Sequence, residues 1–225
     1  GLWGPNARKV LEKVTATNVS HESFPYFTGQ WIEIGVAPVY ALRISYVGEL
    51  GWELHIPMDM ALQVWDKLWD AGCEFDMPAI GLGAMDSMRL EKGYRLWGAD
   101  VYTEYNAYQS GLGWTVKLEK KNFIGKSASV EANAEPLKKK LCAMTFDNDG
   151  MALGYEAILV DGKAVGHVTS ANNAYSVGVF VLYGYLPTAM ANAGQAVEIE
   201  YFGETFPATV VEEPIFDPKM KKMKA

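Results

Sequence analysis

Apolar residues recur along this chain with two periods, a helical one near the start and a strand-like one that dominates later. Pro5 opens a short segment in which Val10, Leu11 and Val14 fall at helical spacing. Residues 15–29 are polar and broken by glycine and proline, as a loop requires. Strand patterns then run over Trp31–Val36, Val39–Val47 and Trp52–Ile56, with Pro38 separating the first two. Asp59 stands where an N-cap is expected, ahead of a helix whose Leu62, Trp65, Leu68 and Trp69 share one face and whose stop is Gly72. A second helix is predicted from Leu82 to Lys92, ending at Gly93; residues 98–113 read as loop and Trp114–Leu118 as a strand.

The texture changes after Ser127–Pro136, which carries a polar, small-residue linker at Ala132-Asn133-Ala134-Glu135-Pro136, read as the domain boundary. Short strands are predicted at Leu141–Phe146, Ala157–Val160, Ala164–Thr169, Gly178–Tyr183, Ala196–Tyr201 and Thr205–Val211. Turn signals such as Asp161-Gly162 and Phe202-Gly203 lie between them, and Val197, Ile199 and Tyr201 alternate with Glu198 and Glu200. Many short strands at this spacing build a small barrel or sandwich. The fold class expected is α+β, with an α+β domain over residues 1–130 and a β-barrel domain over 137–225.

Composition narrows the function classes. The chain has 225 residues, 49% hydrophobic and 21% charged, enough for a sizeable core without disulfides. Cys73 and Cys142 are far apart and outside any CxxC spacing, so both are expected as reduced, buried thiols. A net charge of −7 argues against a nucleic-acid partner. The lysines at 219, 221, 222 and 224 read as a solvated terminus. No apolar stretch approaches the roughly 20 residues that span a bilayer, and no signal peptide is visible, so a cytoplasmic setting is expected, or the mitochondrial matrix in a eukaryote. Opening at Gly1 rather than Met, the chain reads as a fragment or a processed product. It has no GxGxxG after a strand, no phosphate-binding P-loop and no GxSxG elbow, and His21, His55 and His167 lack metal-ligand spacing. No metal site is expected.

Three segments carry chemistry. Glycines 48 and 51 suggest a four-residue hairpin loop, which would set Tyr46 directly across from Glu53 on one sheet face. A phenol beside a carboxylate can flank a flat heteroaromatic ring, the carboxylate accepting from ring N–H groups. An ordinary Tyr–Glu pair on a sheet surface has the same spacing, and at this point both readings stand. In Asp86-Ser-Met-Arg89-Leu-Glu91-Lys-Gly93-Tyr-Arg95, Asp86 and Arg89 are i,i+3 neighbours and Glu91 and Arg95 i,i+4 neighbours, which describes a structural ion-pair helix. Trp114, between the glycines of Gly111-Leu-Gly-Trp114 and the strand expected after it, is either core or a stacking platform.

Together these strings resemble one family. Gly4-Pro5-x-Ala7, Ser45-Tyr46-x-Gly48-Glu49-x-Gly51-x-Glu53, Asp86-x-x-Arg89-Leu-Glu91-x-Gly93, Gly111-Leu-x-Trp114, Phe123-Ile-Gly125, Pro207-Ala-Thr-Val and Glu213-Pro-Ile-Phe-Asp217-Pro follow in the order of the aminomethyltransferase (glycine cleavage T-protein) superfamily. Arg89–Arg95 and Tyr40–Tyr46 look closest to the folate-binding C-terminal part of dimethylglycine and sarcosine dehydrogenases. The resemblance implies a tetrahydrofolate-binding module that passes an aminomethyl or methylene carbon from a methylated amine or related donor. It implies cofactor contacts at Tyr46, Glu53, Trp114 and Arg89. Where glycine cleavage T-proteins often carry a folate-contacting arginine this chain has Met85, which fits the dehydrogenase branch better. The family's catalytic aspartate lies in an N-terminal part that no residue here matches, so the catalytic residue stays unknown. The FAD-binding part of the dehydrogenases is likewise not matched, and either missing part is an expected partner. A non-catalytic folate-binding or structural fragment is the alternative.

Overall fold

The computed structural model describes residues 1–146 and 152–225. The chain separates into two compact units, Gly1–Met88 with Asp217–Ala225, and Arg89–Phe216.

The first unit holds β1 (Leu2–Trp3), α1 (Ala7–Val14), β2 (Gly29–Ile34), β3 (Ala37–Leu42), β4 (Gly51–His55) and α2 (Ala61–Gly72). Its sheet has the antiparallel order β1-β4-β3-β2. Ile32, Ile34, Val39, Ala41 and Trp52 bury one face of this sheet with Val10 and Leu11 of α1 and Val64 of α2. The strand break falls at Gly35-Val36, where Gly35 has φ 64°, and Pro38 lies inside β3. There β3 runs past the end of β4, whose last partner is Tyr40, so the missing N–H of Pro38 costs no ladder bond. Asp59 is not the cap of α2: it lies in a one-turn 3₁₀ segment, Met58–Met60, ahead of the helix. The expected core face of α2 is also only half right. Val64 is its buried side chain, with Leu68 packed against the core, while Leu62 and Trp65 are exposed.

Gly51 belongs to β4 rather than to a turn, and its φ is not positive. It is needed for a different reason: a Cβ there would stand 2.1 Å from the Leu2 carbonyl oxygen of β1.

α3 (Leu82–Glu91) carries the division between the units, between Met88 and Arg89, and the chain turns at Gly93 with φ 73°. The second unit continues through α4 (Lys126–Ala134) into β5 (Lys139–Phe146), β6 (Ala157–Val160), β7 (Lys163–Ala174), β8 (Val179–Pro187), β9 (Ala196–Tyr201) and β10 (Glu204–Val211). These six strands close into an antiparallel barrel in the order β10-β5-β8-β7-β6-β9. Val197 and Ile199 point into it with Met144, Ile158, Val168 and Leu182, while Glu198 and Glu200 stay exposed. Asp161-Gly162 and Phe202-Gly203 both have positive φ at each residue, the twist-matched turn of a tight hairpin. The expected linker is helical up to Ala134: Ser127–Ala134 holds three alanines and a glutamate and no internal glycine or proline, and Pro136 lies just past its end. Cys142 is buried in β5, and burial pushes its thiol up to about 11; Cys73, expected inside, is exposed.

Candidate functional site

In the first unit, β3 and β4 and the connection over residues 43–50 present the residues singled out by the sequence. The register pairs Leu42 with Glu53 and Tyr40 with His55, so Leu42, not Tyr46, faces Glu53 across the ladder. The strand ends early because Arg43 turns its main chain to Phe27 and Thr28, and the Ile44 amide bonds back to the Leu42 carbonyl at 2.9 Å. The Ser45 hydroxyl then accepts from the amides of Val47 and Glu49 at 3.3 and 3.2 Å, and Gly48 takes φ 77°. Tyr46 is therefore a half-buried loop residue between Arg43 and Glu49. Glu53 is half-buried on the sheet face away from Trp52, with His55 Nε2 4.0 Å from its carboxylate. On that same face Trp31 and Tyr40 put their ring centroids 5.3 Å apart.

On the other side of β4 a cavity of about 810 Å³ opens in the first unit. Val47 and Glu49 of the loop, Leu54, Trp3, Met85 and the tryptophans 65 and 69 of α2 are among its walls. The two tryptophans of α2 lie 5.9 Å apart and nearly parallel, at 10°. Among the described lining residues Glu49 is the only ionisable side chain, and it holds Lys222 at 3.0 Å. Its size lies in the range of small-molecule sites, roughly 300–1,000 Å³. Neither Tyr46 nor Glu53 lines it.

The remaining two expected contacts lie in the second unit. Trp114 is 69% exposed on a 3₁₀ turn, Gly113–Thr115, not at the head of a strand. Arg89 is 2% exposed, and its guanidinium donates to Asp100 at 2.5 Å, to the Ser170 hydroxyl at 2.9 Å and to the Tyr94 carbonyl at 3.0 Å. Asp100 also accepts from the Leu96 amide and from the Thr169 hydroxyl, and its carbonyl accepts from Tyr185. Sequence reasoning missed this cluster, since Asp100, Thr169, Ser170 and Tyr185 share no motif with Arg89 and meet it only once the barrel closes. Arg95 pairs with Glu213 at 2.5 Å rather than continuing a helix beside Glu91. Among the described residues no helix is long and apolar enough to cross a membrane, and no group of three or more His, Cys, Asp and Glu is placed to hold a metal ion.

Residues 1–120 match the family model of the GCVT N-terminal domain, and residues 139–217 that of the glycine cleavage T-protein C-terminal barrel domain. Human mitochondrial dimethylglycine dehydrogenase is 37% identical over 217 residues, which is 96% of this chain and 25% of that protein. Mitochondrial sarcosine dehydrogenase of Mus musculus is 34% identical over 232 residues, 99% of this chain and 25% of that protein. An aminomethyltransferase of Halothermothrix orenii is 36% identical over 213 residues, 95% of this chain and 59% of its own length. The chain thus spans about a quarter of the dehydrogenases and 59% of the aminomethyltransferase. Among solved structures, glycine cleavage system aminomethyltransferase T from Bartonella henselae has the same fold, with a TM-score of 0.82 at 24% identity, over 92% of this chain and 56% of that one.

Proposed function

Because this chain belongs to the glycine cleavage T-protein family, we propose that it is the tetrahydrofolate-binding part of a protein that transfers a one-carbon unit from a methylated amine. The observation that carries this reading is the ordered match of both its halves to the two domains of that family. The residues present suit the cofactor: a pterin needs flat apolar support and an acceptor for its ring N–H groups. The first unit supplies an aromatic-walled cavity with the Glu49 carboxylate in its wall and, on the opposite face of β4, the Glu53 carboxylate on the same face as the Trp31 and Tyr40 rings. When bound, tetrahydrofolate supplies the nitrogen nucleophiles that take up the carbon.

In this reading Glu53 accepts from the ring N–H groups and fixes the pterin's orientation. Tyr46, carried on the 43–50 loop, packs against the ring or donates to it. Trp114 offers an exposed face for stacking, and Arg89, locked by Asp100 and Ser170, holds the end of α3 in place. Holding donor and acceptor together can be worth roughly 7–11 kcal/mol. Such a module belongs in the mitochondrial matrix of a eukaryote or the cytoplasm of a bacterium. A second reading, a folate-binding element without catalysis, is favoured by the one ionisable side chain among the described lining residues, Glu49, being already paired with Lys222.

Calorimetric titration with 5-formyltetrahydrofolate tests the proposal. Saturable binding is expected, and Glu53→Ala should weaken it by about 1–3 kcal/mol, the cost of losing a charged hydrogen-bond partner. A folded Glu53→Ala variant with unchanged affinity removes the anchoring role, and absence of binding by the unmodified chain removes the folate assignment.

A further inference from the structure

Composition marks the lysines at 219–224 as a solvated end, yet in the first unit this segment is packed and bonded. Met223 is 1% exposed. The Asp217 carboxylate accepts from the amides of Lys221 and Lys222 at 2.9 and 3.1 Å, which fixes the turn that presents Lys222. Lys222 Nζ donates to Glu49 at 3.0 Å. The main-chain oxygen of Ala225 accepts from Arg43 Nη2 at 2.6 Å and from Arg8 Nη2 at 2.9 Å.

The two arginines explain why that oxygen matters. Both guanidinium groups lie over the Trp52 ring, at 5.6 Å for Arg43 and 5.8 Å for Arg8. Arg43 is fully buried, and burial together with the Arg8 charge pulls its pKa down to about 10, which still leaves it a cation at neutral pH. A buried cation with a second, half-buried cation beside it needs acceptors. Arg43 has the Phe24 carbonyl and the His21 ring, Arg8 has the Val19 carbonyl, and the Ala225 oxygen is the acceptor they share. The segment therefore grips the 43–50 loop at both ends, through Arg43 at its start and Glu49 near its close, with Tyr46 between them. The family matches end at residue 217, so residues 218–225 lie outside both.

We propose that residues 217–225 are a latch that fixes the 43–50 loop, with Lys222 and Met223 as positioning residues that set the affinity of the site carried by that loop. The last step rests on the folate reading above; the ordering of the loop does not.

Hydrogen–deuterium exchange of the 225-residue chain without ligand tests the latch itself, reading the Val47 and Glu49 amides that bond to Ser45. Lys222→Ala should speed their exchange about threefold, and Met223→Ala about tenfold or more, while Lys222→Arg restores the original rates. Titration with 5-formyltetrahydrofolate should show affinity falling by similar factors. Where Met223→Ala unfolds the unit, the milder variants Lys222→Ala and Glu49→Gln carry the test through the exchange rates. Unchanged exchange in folded variants overturns the latch whatever the folate result. Faster exchange with unchanged folate affinity overturns its link to the site. Faster exchange in a chain that never binds folate supports the latch and sinks the folate reading alone.

Discussion

Asp100 and Arg89 form a buried ion pair with side chains 1% and 2% exposed, so removing either partner leaves a charge stranded in the core. Asp100→Ala should cost about 3–5 kcal/mol of stability, measurable as a fall in the urea midpoint at unchanged slope. A loss under 1 kcal/mol would mean that water reaches Arg89. Glu53 is the opposite case. It is half-buried and its near neighbour His55 is 4.0 Å away, so Glu53→Ala should move stability by no more than about 0.5 kcal/mol. Its effect on ligand binding can then be read without a folding correction. Gly51→Val should destabilise by roughly 1–3 kcal/mol through overpacking against β1. The i,i+3 spacing of Asp86 and Arg89 was visible in the sequence, but the partner at Asp100 was not. No local period links residues 89, 100 and 170; only the path of the chain into the barrel does.

Among the elements, those with a strong period and tight turns were legible. The barrel strands and their Asp161-Gly162 and Phe202-Gly203 turns fell close to their expected places, because alternation and positive-φ turn residues are local signals. The 43–50 connection was not legible. Its shape depends on Arg43 meeting Phe27 and Thr28 across the sheet and on the Ser45 hydroxyl replacing ladder bonds, and neither appears as a pattern of apolar residues. In α2, apolar residues lie on more than one face, so periodicity could not tell the core from the cavity wall. That difference predicts unequal mutational costs. Val64→Ala should cost about 1–2 kcal/mol, whereas Leu62→Lys, at a position 72% exposed, should leave the thermal midpoint nearly unchanged. A large drop for Leu62→Lys would show that this stripe is packed against something in solution.

For the molecule as a whole, buried acids set the response to alkali. Burial raises the Cys142 thiol from 9.0 to about 11 and the Tyr185 phenol from 10.0 to about 12, and it raises Tyr183 as well. Each keeps its proton more tightly when folded, so its contribution is complete below the unfolded value and is lost as pH climbs through the folded one. Urea stability should thus decline from about pH 9 toward pH 12, and a flat profile over that window would mean these groups are solvated. Domain division at residues 127–136 remains a proposal with a direct check. Limited elastase digestion should cut first after the exposed Ala134, at the end of α4 and ahead of β5, leaving two large fragments. Cutting elsewhere first would move the boundary.

The closed barrel has a consequence for what happens when the protein is stressed. A ring of six paired strands offers no outermost strand on which another chain could be templated. The four-stranded sheet offers two, the two-residue β1 and the six-residue β2, and only β2 is long enough to template another strand, with Trp31 69% exposed upon it. Aggregation of partly unfolded protein should therefore be seeded by the first unit, growing by strand addition at β2 while the barrel stays intact as a passenger.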